Sequence, residues 1–218
     1  MYAYDYVALL FYILCFFGYQ YYYFRVSYAG TKKTRETINH ELRKNWLAFA
    51  MERKEPLIAI QTIRNLIMTG TFLISLNMLL LGGIGSIISS NEVFFKSVLV
   101  IQDIQIKELF QDAKSKLSIL KIFVSIFMML FSAYNFTGMI RILYNMNFSI
   151  TAAIYEGTQV DFQLEQIKRQ SRHFNKGIRA LLFSIGPVLW LLNTTVFVIF
   201  TLTITISFYL FDFNTSRK

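Results

Sequence analysis

The segment that decides the fold is residues 57–90, LIAIQTIRNLIMTGTFLISLNMLLLGGIGSIISS, which is apolar along nearly its whole length. No residue from Asn65 to Asn91 is charged, and a helix over those positions is roughly 40 Å long at about 1.5 Å per residue. The hydrocarbon core of a bilayer is about 30 Å thick, so this helix is long enough to cross a membrane. Arg64 needs an explanation, because a guanidinium at the bilayer centre costs about 3 kcal/mol.

The composition of the whole chain also indicates a membrane protein. Of its 218 residues, 55% are hydrophobic and only 16% are charged, whereas soluble domains carry about 25% charged residues. The 22 Lys and Arg residues exceed the 13 Asp and Glu residues, giving a net charge of +9 that membrane topology explains without nucleic acid. The single cysteine, Cys15, rules out an internal disulfide and a cysteine-rich metal site.

Three further apolar runs have the length of a membrane helix. They lie at 6–24, 117–140 and 180–211, and together with 57–90 they predict four transmembrane helices in a single membrane domain, 1–218. In the last run, Pro187 predicts a kink, because proline removes a helical hydrogen bond and crowds the preceding turn. In the second run, Gly82 and Ser86 form a pair of small residues four apart, which predicts a close helix contact.

Two of the polar segments have apolar residues at helical spacing. In 38–49 and in 160–178 these residues share one face, while the other faces carry mostly polar and charged side chains. A third polar segment, 92–116, has balanced charges and is too polar to cross, so we interpret it as a surface helix. The predicted fold is therefore all-α: a polytopic membrane protein with four transmembrane helices and amphipathic cytoplasmic helices.

The distribution of basic residues predicts the orientation of the chain. Segment 25–56 contains eight Lys or Arg residues and segment 141–179 contains six, whereas 92–116 contains four that acidic residues balance. Because cytoplasmic loops are enriched in Lys and Arg, both basic segments are predicted in the cytoplasm and both termini outside it. The expected location is a cell membrane, either plasma or inner, which the chain crosses several times.

Polar and cationic side chains gather at the predicted cytoplasmic ends of the spans. Guanidinium groups bind phosphate and carboxylate oxygens in pairs, so this cluster predicts a pocket for an anionic lipid headgroup or solute. Two other interpretations of Arg64 stay open: its side chain reaches the headgroups, or it forms a salt bridge with Glu156 or Asp161. The candidate binding residues are Gln61, Arg64, Asn65, Arg141, Arg172, His173 and Arg179.

The same residues form ordered motifs. Residues 61–65 (QTIRN) open the second predicted span, Arg141 closes the third, and residues 172–179 (RHFNKGIR), followed by Trp190, open the fourth. In the order and placement of these elements the chain resembles an uncharacterised membrane family catalogued as domain of unknown function 599. The likeness covers most of the chain, and it implies a four-span membrane fold with no established activity.

Familiar catalytic and metal-binding motifs do not occur in the sequence. It contains no nucleophile elbow, P-loop, dinucleotide fingerprint or zinc-protease motif. The two histidines, His40 and His173, have no cysteine partner for a metal or haem site. We interpret His173 as a hydrogen-bonding group at a helix start or a contact of lipid phosphate. We expect no enzymatic activity, no metal and no cofactor.

Two classes of function are compatible with the sequence. The first is a non-catalytic subunit, assembly factor or scaffold of a membrane complex, whose expected partners are membrane lipids, including anionic ones, and other subunits or a second copy. The second is a small transporter or channel for an anionic or small polar solute, because two spans carry polar side chains. These side chains are Asn65, Thr69, Ser75 and Asn77 in the second span and Asn193, Thr194 and Thr195 in the fourth.

Overall fold

The computed structural model describes residues 2–29, 34–54, 56–90, 113–156 and 160–214, and no strand occurs in these ranges. Most of the predicted surface helix at 92–116 lies outside the described residues, because the described chain resumes only at residue 113. The all-α prediction is confirmed. The helices are α1 (Tyr2–Ile13), a π-helical segment (Leu14–Gly18), α2 (Tyr19–Ala29), α3 (Arg35–Glu52), α4 (Pro56–Ser90), α5 (Ala113–Glu156), α6 (Val160–Leu192) and α7 (Thr194–Phe213).

Four helical stretches of the described chain are long and apolar enough to cross a membrane, as predicted. The first, Ala3–Ser27, combines α1, the π-helical segment and α2, and we call it the first helix. The second is Pro56–Ser86 in α4, the third is Ile119–Glu156 in α5, and the fourth is Thr194–Phe213, which is α7.

The run 180–211, which the sequence predicted as one kinked helix, belongs to two helices. α6 continues through Pro187 and ends at Leu192, and α7 begins after Asn193. The backbone of Asn193 is extended, and its side-chain oxygen accepts a hydrogen bond of 2.7 Å from the backbone N–H of Thr195. Asn193 is therefore the N-cap of α7. The chain turns at this cap rather than at the proline.

α5 and α6 form a long antiparallel pair at the centre of the fold. The hydroxyl of Ser125 donates to the carbonyl of Ser184 at 3.1 Å, and the hydroxyl of Ser132 donates to the carbonyl of Gly177 at 2.8 Å. α4 joins the same network, because the amide of Asn77 donates to the Ser132 hydroxyl at 2.9 Å. Buried serines thus bond backbone carbonyls of the neighbouring helix and hold the two helices in register.

The first helix and α7 are parallel. Near the start of both, Asp5 accepts a hydrogen bond of 2.6 Å from Thr194, and near the end of both, the Tyr19 hydroxyl donates to Asp212. The two ends of the described chain therefore lie at opposite ends of this helix pair. On which side of a membrane each of these ends lies stays a prediction.

The second half of α6 also packs on the first helix. It runs antiparallel to the first helix: Trp190 donates to Asp5 at 2.9 Å, and Arg179, eleven residues earlier, donates to Gln20 at 3.2 Å. Residues 180–192 of α6 therefore accompany the first helix from one end to the other. The sequence had assigned these residues to the same predicted span as α7.

Close helix contacts occur at glycines other than those the sequence singled out. A Cβ atom added at Gly82 would meet no atom of the described residues within 4 Å, so the predicted contact there is not found in this part of the chain. At Gly177 a Cβ atom would lie 2.7 Å from the ring of Phe136, which is fully buried between α5 and α6. Gly177 therefore sets the spacing of the central helix pair.

We expect Gly177→Ala to lower the free energy of unfolding by about 1–3 kcal/mol, because the methyl group overpacks a buried ring. Gly82→Ala is the matched control: it adds the same methyl group to an open helix position, where alanine gains up to about 1 kcal/mol of helix propensity. The effect is measured by unfolding both variants in detergent while monitoring tryptophan fluorescence. Equal midpoints for the two variants would contradict the assignment.

Candidate functional site

A cavity of about 180 Å³ lies where α2, α3 and α6 meet, and we call it the basic cavity. Four basic side chains from α6 line it, at intervals of four, four and three residues, which places them on one helix face. Among the described residues, Glu36 is the one acidic side chain of the lining. The lining consists of Gln20, Tyr23, Phe24, Ser27, Glu36, Thr37, His40, Lys168, Arg172, Asn175, Lys176 and Arg179.

The start of α3 is fixed by a reciprocal cap. The hydroxyl of Thr34 accepts a hydrogen bond of 3.3 Å from the N–H of Thr37, and the Thr37 hydroxyl accepts one of 3.0 Å from the N–H of Thr34. These two bonds satisfy backbone donors that a helix start otherwise leaves unpaired. The cap holds the first turns of α3 in place, and Glu36, Thr37 and His40 line the cavity from there.

Glu36 joins α3 to α6. Its carboxylate accepts a hydrogen bond of 2.9 Å from the side chain of Asn175 and lies 3.6 Å from the guanidinium of Arg43. Arg43 also donates to the hydroxyl of Ser171 at 2.7 Å. The negative charge of Glu36 is therefore compensated within the protein, and the basic groups of α6 give the cavity its charge.

Arg179 forms the inner wall of the cavity and is itself paired. Its guanidinium is 2.6 Å from the carboxylate of Asp212, donates to Gln20 at 3.2 Å and lies over the ring of Tyr23, 3.9 Å from the centroid. Both charged side chains are almost completely buried. Asp212 balances Arg179, and the other basic side chains of the lining are Lys168, Arg172 and Lys176.

The two histidines differ in their surroundings. His40 lines the basic cavity, and burial together with the nearby charge of Lys168 lowers its pKa, so its imidazole is neutral at pH 7. His173 faces α5 instead, where a Cβ atom at Gly138 would lie 3.0 Å from its ring. Burial lowers the pKa of His173, and the nearby positive charge of Lys176 lowers it further. Among the described residues, no group of three His, Cys, Asp or Glu side chains is placed to hold a metal ion.

The structure brings together two of the seven candidate binding residues. Arg172 and Arg179 line the basic cavity, and His173 packs on α5 beside it. The other four, Gln61, Arg64, Asn65 and Arg141, are exposed on α4 and α5 and do not line it. Arg64 forms no ion pair with the described residues, so its predicted bridge to Glu156 or Asp161 is not found there.

Sequence reasoning missed the basic side chains that complete the row. Lys168 and Lys176 flank Arg172 at four-residue intervals, and this spacing alone could have placed the three on one face. Glu36 and Asp212 gave no such signal, because each is distant in sequence from the group it contacts. Only the packing of α2, α3 and α7 around α6 brings them to the cavity.

A second buried ion pair lies at the opposite end of the first helix. Lys121 is 3.4 Å from Asp5, which also accepts hydrogen bonds of 2.9 Å from Trp190 and 2.6 Å from Thr194. Lys121 donates in addition to the carbonyl of Trp190 at 3.1 Å. This cluster joins the first helix, α5, α6 and α7, and its groups bond one another, so we interpret it as structural.

Comparison with known proteins gives a family match. The model of the family described as "Protein of unknown function, DUF599" matches residues 7–217, which is nearly the whole chain. No curated protein and no solved structure matches the chain. The resemblance seen in the motifs is confirmed, and the match itself carries no activity.

Proposed function

The chain belongs to this family of unknown function, and we propose that it is a multi-pass membrane protein that binds a phosphate-bearing anion in the basic cavity. The proposal is carried by the row of Lys168, Arg172 and Lys176, which face the cavity from successive turns of one rigid helix. Charge-assisted hydrogen bonds from such groups are the usual means of holding phosphate. We propose that the protein acts by binding, not by catalysis.

The depth of the cavity favours a ligand at the membrane surface. Tyr23, Phe24 and Ser27 belong to the last turns of the first helix, where aromatic side chains commonly lie at headgroup level. A phosphate at this depth has two sources, a lipid headgroup and a soluble phosphate compound. Both present the same oxygens to the α6 row, and we propose the lipid as the first partner.

The parallel course of the first helix and α7 supports an orientation. The described basic residues of 34–54 and 160–179 belong to α3, the turn after it and α6, and α3 and α6 line the cavity. By the enrichment of Lys and Arg in cytoplasmic segments, we place the end of the bundle that holds the cavity in the cytoplasm. The amino terminus is then outside and the carboxyl terminus inside, and we propose residues 180–192 of α6 as a fifth pass through a plasma or inner membrane. The amphipathic helix α3 lies on the cytoplasmic side.

A role in a membrane complex stays our broader proposal, with other subunits or a second copy as partners. Transport receives less support, because several polar residues that suggested it have packing roles. Asn77 bonds Ser132 inside the helix bundle, Asn193 caps α7, and Thr194 bonds Asp5. The Nδ2 of Asn77, the Oδ1 of Asn193 and the hydroxyl of Thr194 are therefore bonded to neighbours within the protein.

Binding of short-chain phosphatidic acid to the full chain in detergent, counted by native mass spectrometry, tests the function. We expect Arg172→Gln to weaken binding about tenfold, because a hydrogen bond to a charged group contributes about 1.5–3 kcal/mol. Arg169→Gln is the control: it removes the same charge from α6 at an exposed position that pairs with Glu165 and does not line the cavity.

Two further arms identify the source of the phosphate. Competition by inorganic phosphate would indicate a soluble ligand, whereas retention of the lipid against inorganic phosphate would indicate a headgroup. Phosphatidylcholine, which has no net charge, is expected to bind weakly. If Arg172→Gln and Arg169→Gln bind phosphatidic acid equally, or if neither phosphate probe binds, the proposal is wrong.

A further inference from the structure

We propose a second binding site, separate from the basic cavity, for an alkyl chain that ends in a carboxylate. It is a cavity of about 330 Å³ between α3, α4, α5 and α6, and we call it the apolar cavity. Apolar side chains from all four helices form most of its wall, among them Trp46, Ile63, Leu143 and Met146.

The size and lining of the cavity fit a hydrocarbon chain. An engineered apolar cavity of about 150 Å³ binds benzene, so one of about twice that volume holds a longer alkyl segment. Thr62 adds no free hydroxyl to the wall, because its Oγ1 donates to the carbonyl of Ile58 at 2.9 Å. The remaining polar side chains of the lining are Arg43 and Gln170.

These two side chains define the polar end of the ligand. Gln170 is 4% exposed, and its side-chain Nε2, the donor that a carboxylate needs, makes no hydrogen bond with the described residues; its Oε1 is also buried without a partner. Arg43 uses one terminal nitrogen for Ser171 and Glu36, and its other guanidinium N–H groups make no hydrogen bond with the described residues. A carboxylate accepts hydrogen bonds from a guanidinium and an amide together.

The position of the cavity makes it reachable from the bilayer. Leu66 lies in the membrane-crossing stretch of α4 and is 36% exposed, and Leu42 on α3 is 49% exposed, so the wall is open at this edge. An alkyl chain can enter among these leucines, while its carboxylate stays near Arg43. The site thus takes a single-chain amphiphile, such as a fatty acid, from the surrounding membrane.

Quenching of Trp46 by 12-bromododecanoate in the full chain tests the proposal. Trp46 lines the cavity, whereas Trp190, the other tryptophan, has no exposed surface and contributes a constant signal. We expect saturable quenching, and a loss of affinity of at least tenfold in Thr62→Phe, whose ring fills the cavity. Thr71→Phe is the matched control: an exposed threonine of the same helix, with the same bond to the carbonyl four residues earlier, outside the lining.

Charge is tested separately from shape. We expect Arg43→Gln to weaken binding of the carboxylate while 12-bromododecanol binds as before, and a bromoalkyl trimethylammonium probe to bind poorly. Arg172→Gln is expected to leave dodecanoate binding unchanged, so the two sites can fail independently. Equal quenching in Thr62→Phe and Thr71→Phe would mean partition into the micelle alone, and equal binding of the cationic probe would exclude the carboxylate. Either result overturns the proposal.

Discussion

Replacing Arg179 with leucine is expected to lower the free energy of unfolding by about 3–5 kcal/mol, because Asp212 then stays buried without its partner. The two side chains are 5% and 9% exposed, and the carboxylate lies 2.6 Å from the guanidinium. The substitution also removes the cation that stacks on Tyr23. Thermal or denaturant unfolding in detergent, followed by tryptophan fluorescence, measures the change.

Two controls separate the ion pair from other effects of the substitution. Replacing Arg179 and Asp212 together by leucine removes both charges, so the double variant should be more stable than Arg179→Leu alone. Arg169→Leu breaks an ion pair on the exposed face of the same helix, where both side chains are more than 40% exposed, and should change stability little. A midpoint of Arg179→Leu equal to that of Arg169→Leu would contradict the role of the buried pair.

The two buried ion pairs hold opposite ends of the first helix. Asp5 and Lys121 bind one end of it to α5, and Arg179 with Asp212 binds the other end to α6 and α7. Between them, Tyr12 and Phe16 pack on Phe183 with edge contacts of aromatic rings. The Tyr12 hydroxyl also donates to the carbonyl of Phe183 at 2.9 Å. This hydrogen bond and the two ion pairs each fit at one depth only, and together they fix the register of the first helix.

The sequence predicted the helical class and most of the membrane-length helices, because long uncharged runs leave few alternatives. It did not predict the turn at Asn193, since one polar capping residue changes the mean hydropathy of a long uncharged run only little. The run 180–211 was therefore predicted as one kinked helix, whereas it belongs to α6 and α7. Arg172 and Arg179 were predicted as site residues from their position at a helix start. The partners of Arg179 on α2 and α7 depend on tertiary packing that no local pattern encodes.

The orientation that we propose places the carboxyl terminus in the cytoplasm, opposite to the location predicted from the sequence. Asp212 lies at the same end of the helix bundle as Tyr19 and Arg179. With residues 180–192 of α6 as a fifth pass, this end is the cytoplasmic one. A fluorescent reporter that folds only in the cytoplasm should therefore be active when fused after Lys218. The same reporter fused before Met1 should be inactive, because Asp5 lies at the other end.

The two fusions control for one another, because each uses the full chain and differs only in the terminus that carries the reporter. Five passes require one active fusion and one inactive fusion, whereas four passes require the same result from both. Two inactive fusions with intact protein in the membrane would restore the orientation with both termini outside. That outcome would also mean that α7 and the first helix are not parallel, so the bonds of Asp212 to Arg179 and Tyr19 could not form together with the bond of Asp5 to Thr194.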